Sequence, residues 1–437
     1  MKIPRRIAQA LINSLKGGVV PRVGLPYVTV GRKAEIDALL RDVDMIADGG
    51  ASFRFIVGKY GSGKSFLLQT IRNYVMDKNF VVVDADLSPE RRLQGTRGQG
   101  LATYKELIRN MSTRTRPEGG ALSLILDRWI SSVQQEVMAA QGLSVTDPRL
   151  APLVEQRISA VIASLSEMVH GFDFARLLTL YYRSYLAGDD QTKAKVLKWF
   201  RGEYATKTEA RQELGVNIVI TDDDWYEYLK LFAAFLKQAG YAGMLILIDE
   251  LVNIYKIPHA VTRQYNYEKI LTMYNDTMQG KAQHLGIILC GTPQCMEDPR
   301  RGVYSYEALR SRLAEGRFSG DHKDLLSPVI QLQPLTPEEM LILVEKLADI
   351  HAGLYEYAQI ITQQDMADFI QIEFGRIGAD AHITPREVIR DFIQVLDIVF
   401  QNPGVQVAAL LGSEGFSYAQ NPVQEAAVQD QFAEFDL

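Results

Sequence analysis

Apolar runs of strand length alternate along this chain with stretches whose apolar residues return every three or four positions, the pattern of buried strands joined by amphipathic helices. Residues 53–57 form the first mostly apolar run, residues 66–76 read as a helix, and residues 80–85 read as a second buried strand ending in Asp84 and Asp86. Strand, helix, strand in that order predicts a parallel α/β sheet. Residues 244–248, 285–292 and 328–332 supply further strand-length runs. Upstream, Ile36, Leu39, Leu40 and Val43 share one face of a helix that stops at Asp48-Gly49-Gly50 and leads into the first strand.

About 155 residues separate the second strand from the next, where a bare core needs only a few tens. Helical periodicity runs through 104–111, 122–137, 153–168, 172–187, 189–200 and 225–239, with loops at 117–120 and 215–223. A large helical insertion over about 104–240 is therefore expected. Residues 265–279 also read as a helix. Thr336-Pro337-Glu338-Glu339 is a helix start, with Thr336 as N-cap, Pro337 at the first helical position and Glu339 at the capping-box position. The chain thus divides into a lead-in over 1–50, a core over 51–332, a C-terminal helical lid over 333–402 and an acidic flexible tail over 403–437.

Composition sets the class. A chain of 437 residues that is 47% hydrophobic has room for roughly two or three domains around ordinary cores. No apolar stretch approaches the roughly 20 residues of a membrane span. The basic, amphipathic start at 1–16 lacks the apolar core and cleavage site of a signal, so it reads as a surface helix. Cys290 and Cys295 are too few for a disulfide framework or a four-ligand zinc site, which points to a reducing cytoplasm.

The net charge of −6 argues against a protein that coats nucleic acid through bulk charge, yet the charge is polarised. Lys2, Arg5, Arg6, Lys16, Arg22, Arg32 and Lys33 meet no acidic residue before position 34, while no Lys or Arg follows Arg390. Glu414, Glu425, Asp430, Glu434 and Asp436 mark the end. Such asymmetry fits either a nucleic-acid contact and a docking tail or simply solvated termini.

The candidate chemistry begins at the end of the first strand. Residues 58–65, Gly-Lys-Tyr-Gly-Ser-Gly-Lys-Ser, fit the phosphate-loop pattern G-x-x-x-x-G-K-[ST] without a mismatch. Gly58, Gly61, Ser62 and Gly63 let backbone N–H groups face phosphates, Lys64 reaches the β- and γ-phosphates, and Ser65 offers its hydroxyl to Mg²⁺. A helix opening through Phe66 adds its N-terminal dipole to the anion site. The run 244–248 ends in Asp249-Glu250, the Walker B pattern: Asp249 holds the metal's water shell and Glu250 points toward a water attacking the γ-phosphate. Thr292, at the polar end of the run 285–292, is a candidate γ-phosphate sensor.

These landmarks together resemble the AAA+ superfamily of P-loop ATPases over roughly residues 25–400. Val30-Gly31-Arg32-Lys33-Ala34-Glu35-Ile36, the phosphate loop, residues 83–92 and residues 383–390 (Ile-Thr-Pro-Arg-Glu-Val-Ile-Arg) further resemble the ATP-binding protein family of BREX-type anti-phage defence systems. The resemblance implies that Val30 and Gly31 line an adenine pocket, that Glu250 is the catalytic base and that Thr292 is sensor 1. It implies that Arg386 reaches the γ-phosphate from the lid as sensor 2, and that Arg312, or else Arg310, completes a neighbouring subunit's site. Replication initiators of this superfamily carry a winged helix after the lid, whereas the residues after Asn402 are expected to be a tail whose Phe432 and Phe435 either dock into a groove or fray. DNA contact would then fall to the basic start and to Arg91, Arg92, Arg97, Lys105 and Arg109, unless these are solvated helix charges.

The leading expectation is an Mg²⁺-dependent, ATP-hydrolysing protein that assembles with itself or with other defence-system proteins, on double-stranded DNA. The alternative is a nucleotide-gated scaffold that binds ATP and scarcely hydrolyses it. A helicase is disfavoured because no second RecA-like core is present, and a kinase because no phosphoacceptor pocket is evident.

Overall fold

Five strands, β1 (Ala51–Val57), β2 (Val81–Asp86), β3 (Met244–Asp249), β4 (Leu285–Gly291) and β5 (Val329–Gln331), form one parallel sheet in the order β2-β3-β4-β1-β5. The computed structural model describes residues 3–314, 324–376 and 384–411, which fall into two compact units: residues 32–333, and residues 1–31 with those from 334 onward. The sheet belongs to the first unit. Register brings Val57 opposite Gly291 and Asp86 opposite Asp249, so the polar ends of the strands meet along one edge. Ligand sites of open α/β sheets lie at such carboxyl ends.

Side chains alternate across the strands, so both faces of the sheet need cover. Ile56, Val82, Leu245, Leu247, Ile288 and Ile330 pack with residues of the helices Lys33–Ala47 and Lys64–Asp77. Phe53, Phe55, Val57, Val83, Ile246 and Leu289 face a larger core that continues into the helices between β2 and β3. Arg54 interrupts the first apolar run and is only 7% exposed. Its guanidinium binds Asp42 through two hydrogen bonds of 2.5 and 2.8 Å and donates to the Leu326 and Ser327 carbonyls, so each of its nitrogens has a partner. A buried cation is tolerated under those conditions.

Between β2 and β3 lie the helices Gln99–Arg109, Leu122–Gln141, Leu150–Ser166, Gly171–Ala187, Asp190–Phe200, Lys207–Leu214 and Trp225–Gln238. Six of them match the periodic segments to within five residues at either end, whereas Lys207–Leu214 buries Ala210 and Leu214 alone, too thin a stripe for periodicity to register. None of the helices among the described residues is long and apolar enough to cross a membrane.

The second unit joins the helices Arg5–Lys16 and Leu25–Val28 to Pro337–Tyr355, Gln363–Arg376, Pro385–Gln401 and Val407–Leu411. Ala8, Leu11, Ile12 and Leu15 bury one face of the first helix, and Lys16 is ion-paired with Asp397 at 2.5 Å. Thr336 and Thr384 both open helices with complete capping boxes, completed by Glu339 and Glu387. Within the expected tail, residues 407–411 form a short helix; residues 412–437, with Phe432 and Phe435, lie outside the described residues, as does Ile383.

Gly31 sits at φ +67°, and a Cβ there would come within 2.6 Å of the Glu339 carboxylate carbon and 2.7 Å of Leu335 Cδ2. A left-handed conformation alone costs an L-residue about 1–2 kcal/mol. Gly31→Ala is expected to lower the melting temperature by several degrees, measurable by calorimetry, and an unchanged melting temperature would show that Glu339 and Leu335 yield freely.

Candidate functional site

The loop after β1 folds tightly because three of its glycines remove the obstacles to doing so. Gly61 and Gly63 lie at φ +77° and +93°, and a Cβ on Gly58 would come within 2.4 Å of Ser62 Oγ. The helix Lys64–Asp77 opens directly from Gly63, with Phe66 in its first turn. Gly58 N–H donates to the Gly291 carbonyl at 3.1 Å, which ties the loop to the end of β4.

Lys64 folds over this loop, its ammonium donating to the Gly58 and Lys59 carbonyls at 2.8 and 3.0 Å. Burial holds the ammonium below the usual lysine range, against the upward pull of Asp249, Cys290 and Glu250. The Ser65 hydroxyl donates to Asp249 Oδ2 at 2.6 Å, although 184 positions separate the two residues. Two hard oxygen donors side by side beneath a phosphate loop fit Mg²⁺, which favours one or two protein oxygens together with phosphate oxygens and waters.

Asp249 is 8% exposed, and its Oδ1 accepts the Glu250 N–H at 2.8 Å. That bond turns the chain sharply as β3 ends, and Glu250 takes φ +61°, a left-handed conformation uncommon for a non-glycine residue. Glu250 as a whole is half-buried. Leu251 N–H then donates to the Cys290 carbonyl at 3.0 Å, closing the turn against β4.

Thr292 caps the short helix Pro293–Glu297, and its partner at the third helical position is Cys295. Thr292 N–H donates to Cys295 Sγ at 3.1 Å, and Cys295 S–H donates to the Thr292 carbonyl at 3.0 Å. The Thr292 hydroxyl oxygen accepts Cys295 N–H at 3.4 Å, so its own proton is free to turn toward another acceptor. Burial pushes the Cys295 thiol up to about 11 and the Cys290 thiol well above its ordinary value, which leaves both as packing groups.

Two site residues went unassigned in the sequence. Asp86 pairs with Asp249 in strand register; partial burial and the neighbouring Asp249, Asp84 and Glu250 raise its carboxyl to about 6, against the lowering pull of Arg91, although the side chain retains an open side to solvent. Its place at the end of β2 was visible, but the register that brings it beside Asp249 was not. Arg32 donates from Nη2 to the Ser62 carbonyl at 3.1 Å, inside the phosphate loop, and its Nη1 lies 3.9 Å from Glu35. Nothing in its local sequence marks it for that contact.

Arg310 and Arg312 lie on the helix Glu307–Leu313, whose Leu309 and Leu313 are buried, and both arginines are exposed. Arg310 lies 3.6 Å from Glu307, and Arg312 donates to the Ala308 carbonyl at 2.6 Å. Val30, Gly31 and Arg386 belong to the other compact unit, where Arg386 Cδ lies 3.9 Å from a Cβ built on Gly18. Of the basic candidates after β2, Arg97, Lys105 and Arg109 are exposed. Arg109 pairs with Glu106 at 2.8 Å, and Arg91 donates to the Asp86 carbonyl at 2.9 Å.

With this geometry in place, the family model described as BREX system ATP-binding protein BrxC/D matches residues 3–415. No curated protein matches the chain.

Proposed function

Because the chain belongs to the BREX system ATP-binding protein family, we propose that its ATP-binding role in that anti-phage defence system is an enzymatic one, Mg²⁺-dependent hydrolysis of ATP. The observation that carries this reading is the 2.6 Å contact between Ser65 and Asp249, which joins the phosphate loop to the carboxylate pair. Water is the nucleophile, and Glu250 orients it and takes its proton. Lys64 stabilises charge on the phosphoryl oxygens, and the Thr292 hydroxyl helps place the γ-phosphate. Ser65 and Asp249 would hold Mg²⁺, which would supply charge neutralisation to the phosphate oxygens.

In this reading Val30 and Gly31 serve the adenine and Arg386 acts as the γ-phosphate sensor. An exposed Arg312 or Arg310 serves a neighbouring copy, where an arginine supplied in trans accelerates phosphoryl transfer by about 10³ to 10⁵. The ATP-bound state assembles with itself or with other system proteins in the cytoplasm, and hydrolysis resets the complex. Double-stranded DNA is met through Arg97, Lys105 and Arg109, whose exposure supports that assignment.

Asp249→Asn tests the metal arm. The wild type is expected to bind ATP more tightly as Mg²⁺ is titrated in. The variant is expected to lose most of that gain, about tenfold or more, while binding ATP in EDTA as the wild type does. An Mg²⁺ response preserved in the variant would remove Asp249 from the metal site.

A further inference from the structure

We infer that Arg32 is a positioning residue that fixes the anion-receiving state of the phosphate loop, an inference that rests on reading this loop as the ATP site. Arg32 and Glu35 are 6% and 1% exposed, so a charged pair is buried at the start of the helix Lys33–Ala47. Burying two charges is expensive, and a pair of this kind does not by itself argue for stability. What this one does is reach across 30 positions to the backbone carbonyl of Ser62.

That carbonyl belongs to the peptide that joins the turn to the helix Lys64–Asp77. Before it, Ser62 N–H donates to the Lys59 carbonyl at 3.2 Å; after it, the Gly63 carbonyl accepts Leu67 N–H at 2.9 Å and is part of the helix. The Ser62–Gly63 peptide is the joint between them. It can turn over by changing the torsions on either side, and Gly63 offers no steric wall: nothing lies within 4 Å of a Cβ built there, and glycine accepts either sign of φ.

In a planar trans peptide the C=O and the following N–H point in opposite directions. Holding the Ser62 carbonyl on the Arg32 side therefore holds Gly63 N–H on the opposite side, committed to one direction. A phosphate loop works by aiming such N–H groups at phosphate oxygens. The guanidinium suits the task because its fork spans two partners, with one nitrogen on the loop and the other facing Glu35, in a geometry an ammonium does not reproduce.

The test uses the full chain and compares ADP with adenosine, because a loop-positioning residue acts only on the phosphate part of the ligand. The Arg32→Met/Glu35→Met pair removes both buried charges together, an exchange that commonly leaves stability intact. Arg32→Lys keeps a cation beside Glu35 and serves as the second variant should the pair fail to fold. ADP affinity is measured by calorimetry in EDTA and adenosine affinity by saturation-transfer NMR. The expected result is a fall of about tenfold or more in the ratio of the adenosine to the ADP dissociation constant, with adenosine binding within about twofold of wild type. A ratio unchanged in a folded variant overturns the positioning role, whatever happens to the melting temperature. Should the wild type itself hold ADP no more tightly than adenosine, the ATP-site reading fails first and takes this inference with it.

Discussion

Glu250→Gln is expected to stop ATP turnover while leaving ATP bound. Removing a general base typically costs about 10² to 10⁴ in rate, so the steady-state rate should fall at least a hundredfold. ATP affinity should stay within about threefold, because the substitution leaves Lys64, the loop and the Ser65–Asp249 contact in place. The local backbone argues for a dedicated role. A non-glycine residue at φ +61° stores roughly 1–3 kcal/mol of strain, and the Glu250 N–H bond to Asp249 holds it there. Gln has the same size and meets the same backbone demand, so the variant isolates the carboxylate's proton chemistry. Undiminished turnover in steady-state assays would remove Glu250 from catalysis.

Lys64→Ala is expected to remove most nucleotide binding. Truncating one member of a buried charge pair costs about 2–5 kcal/mol, which corresponds to a loss of roughly thirtyfold to several thousandfold in affinity for ATP. The rise in melting temperature that saturating ATP gives the wild type should disappear with it. Without nucleotide the variant should be no less stable than the wild type. Burial already disfavours the Lys64 ammonium, and its hydrogen bonds go to two carbonyls of a loop that water can reach. A thermal melt with and without ATP checks both halves. ATP-induced stabilisation equal to that of the wild type would contradict the assignment.

The phosphate loop was legible from sequence because its function lives in eight consecutive residues whose backbone demands glycine at set places. The parallel strands were legible because both faces of the sheet are covered, which makes the strands mostly apolar runs despite Arg54 in the first. Thr336 announces its helix through Pro337 and Glu339, and the same Thr-Pro-x-Glu order at Thr384 opens the helix that carries Arg386.

What escaped depends on partners far along the chain. The helix Gln99–Arg109 starts five residues earlier than its apolar pattern suggests, because Asp222 accepts the Gly98 and Leu101 N–H groups at 2.8 and 2.7 Å and so caps it from another segment. Arg32 looked like one more basic residue of a positive N-terminal stretch, yet it is buried against the phosphate loop. Asp86 stood in plain view at the end of its strand, and only the register with β3 sets it beside Asp249. A periodic pattern reports which face of an element is buried and is silent about which side chains meet across it.

The central claim is tested most directly by the steady-state ATP hydrolysis rate of the purified wild-type protein with Mg²⁺, with and without double-stranded DNA, while its mass in solution is recorded. The account predicts multiple turnovers that require Mg²⁺ and that accompany ATP-dependent assembly. Tight ATP binding with no turnover under any of these conditions would contradict it and would make the chain a nucleotide-gated scaffold.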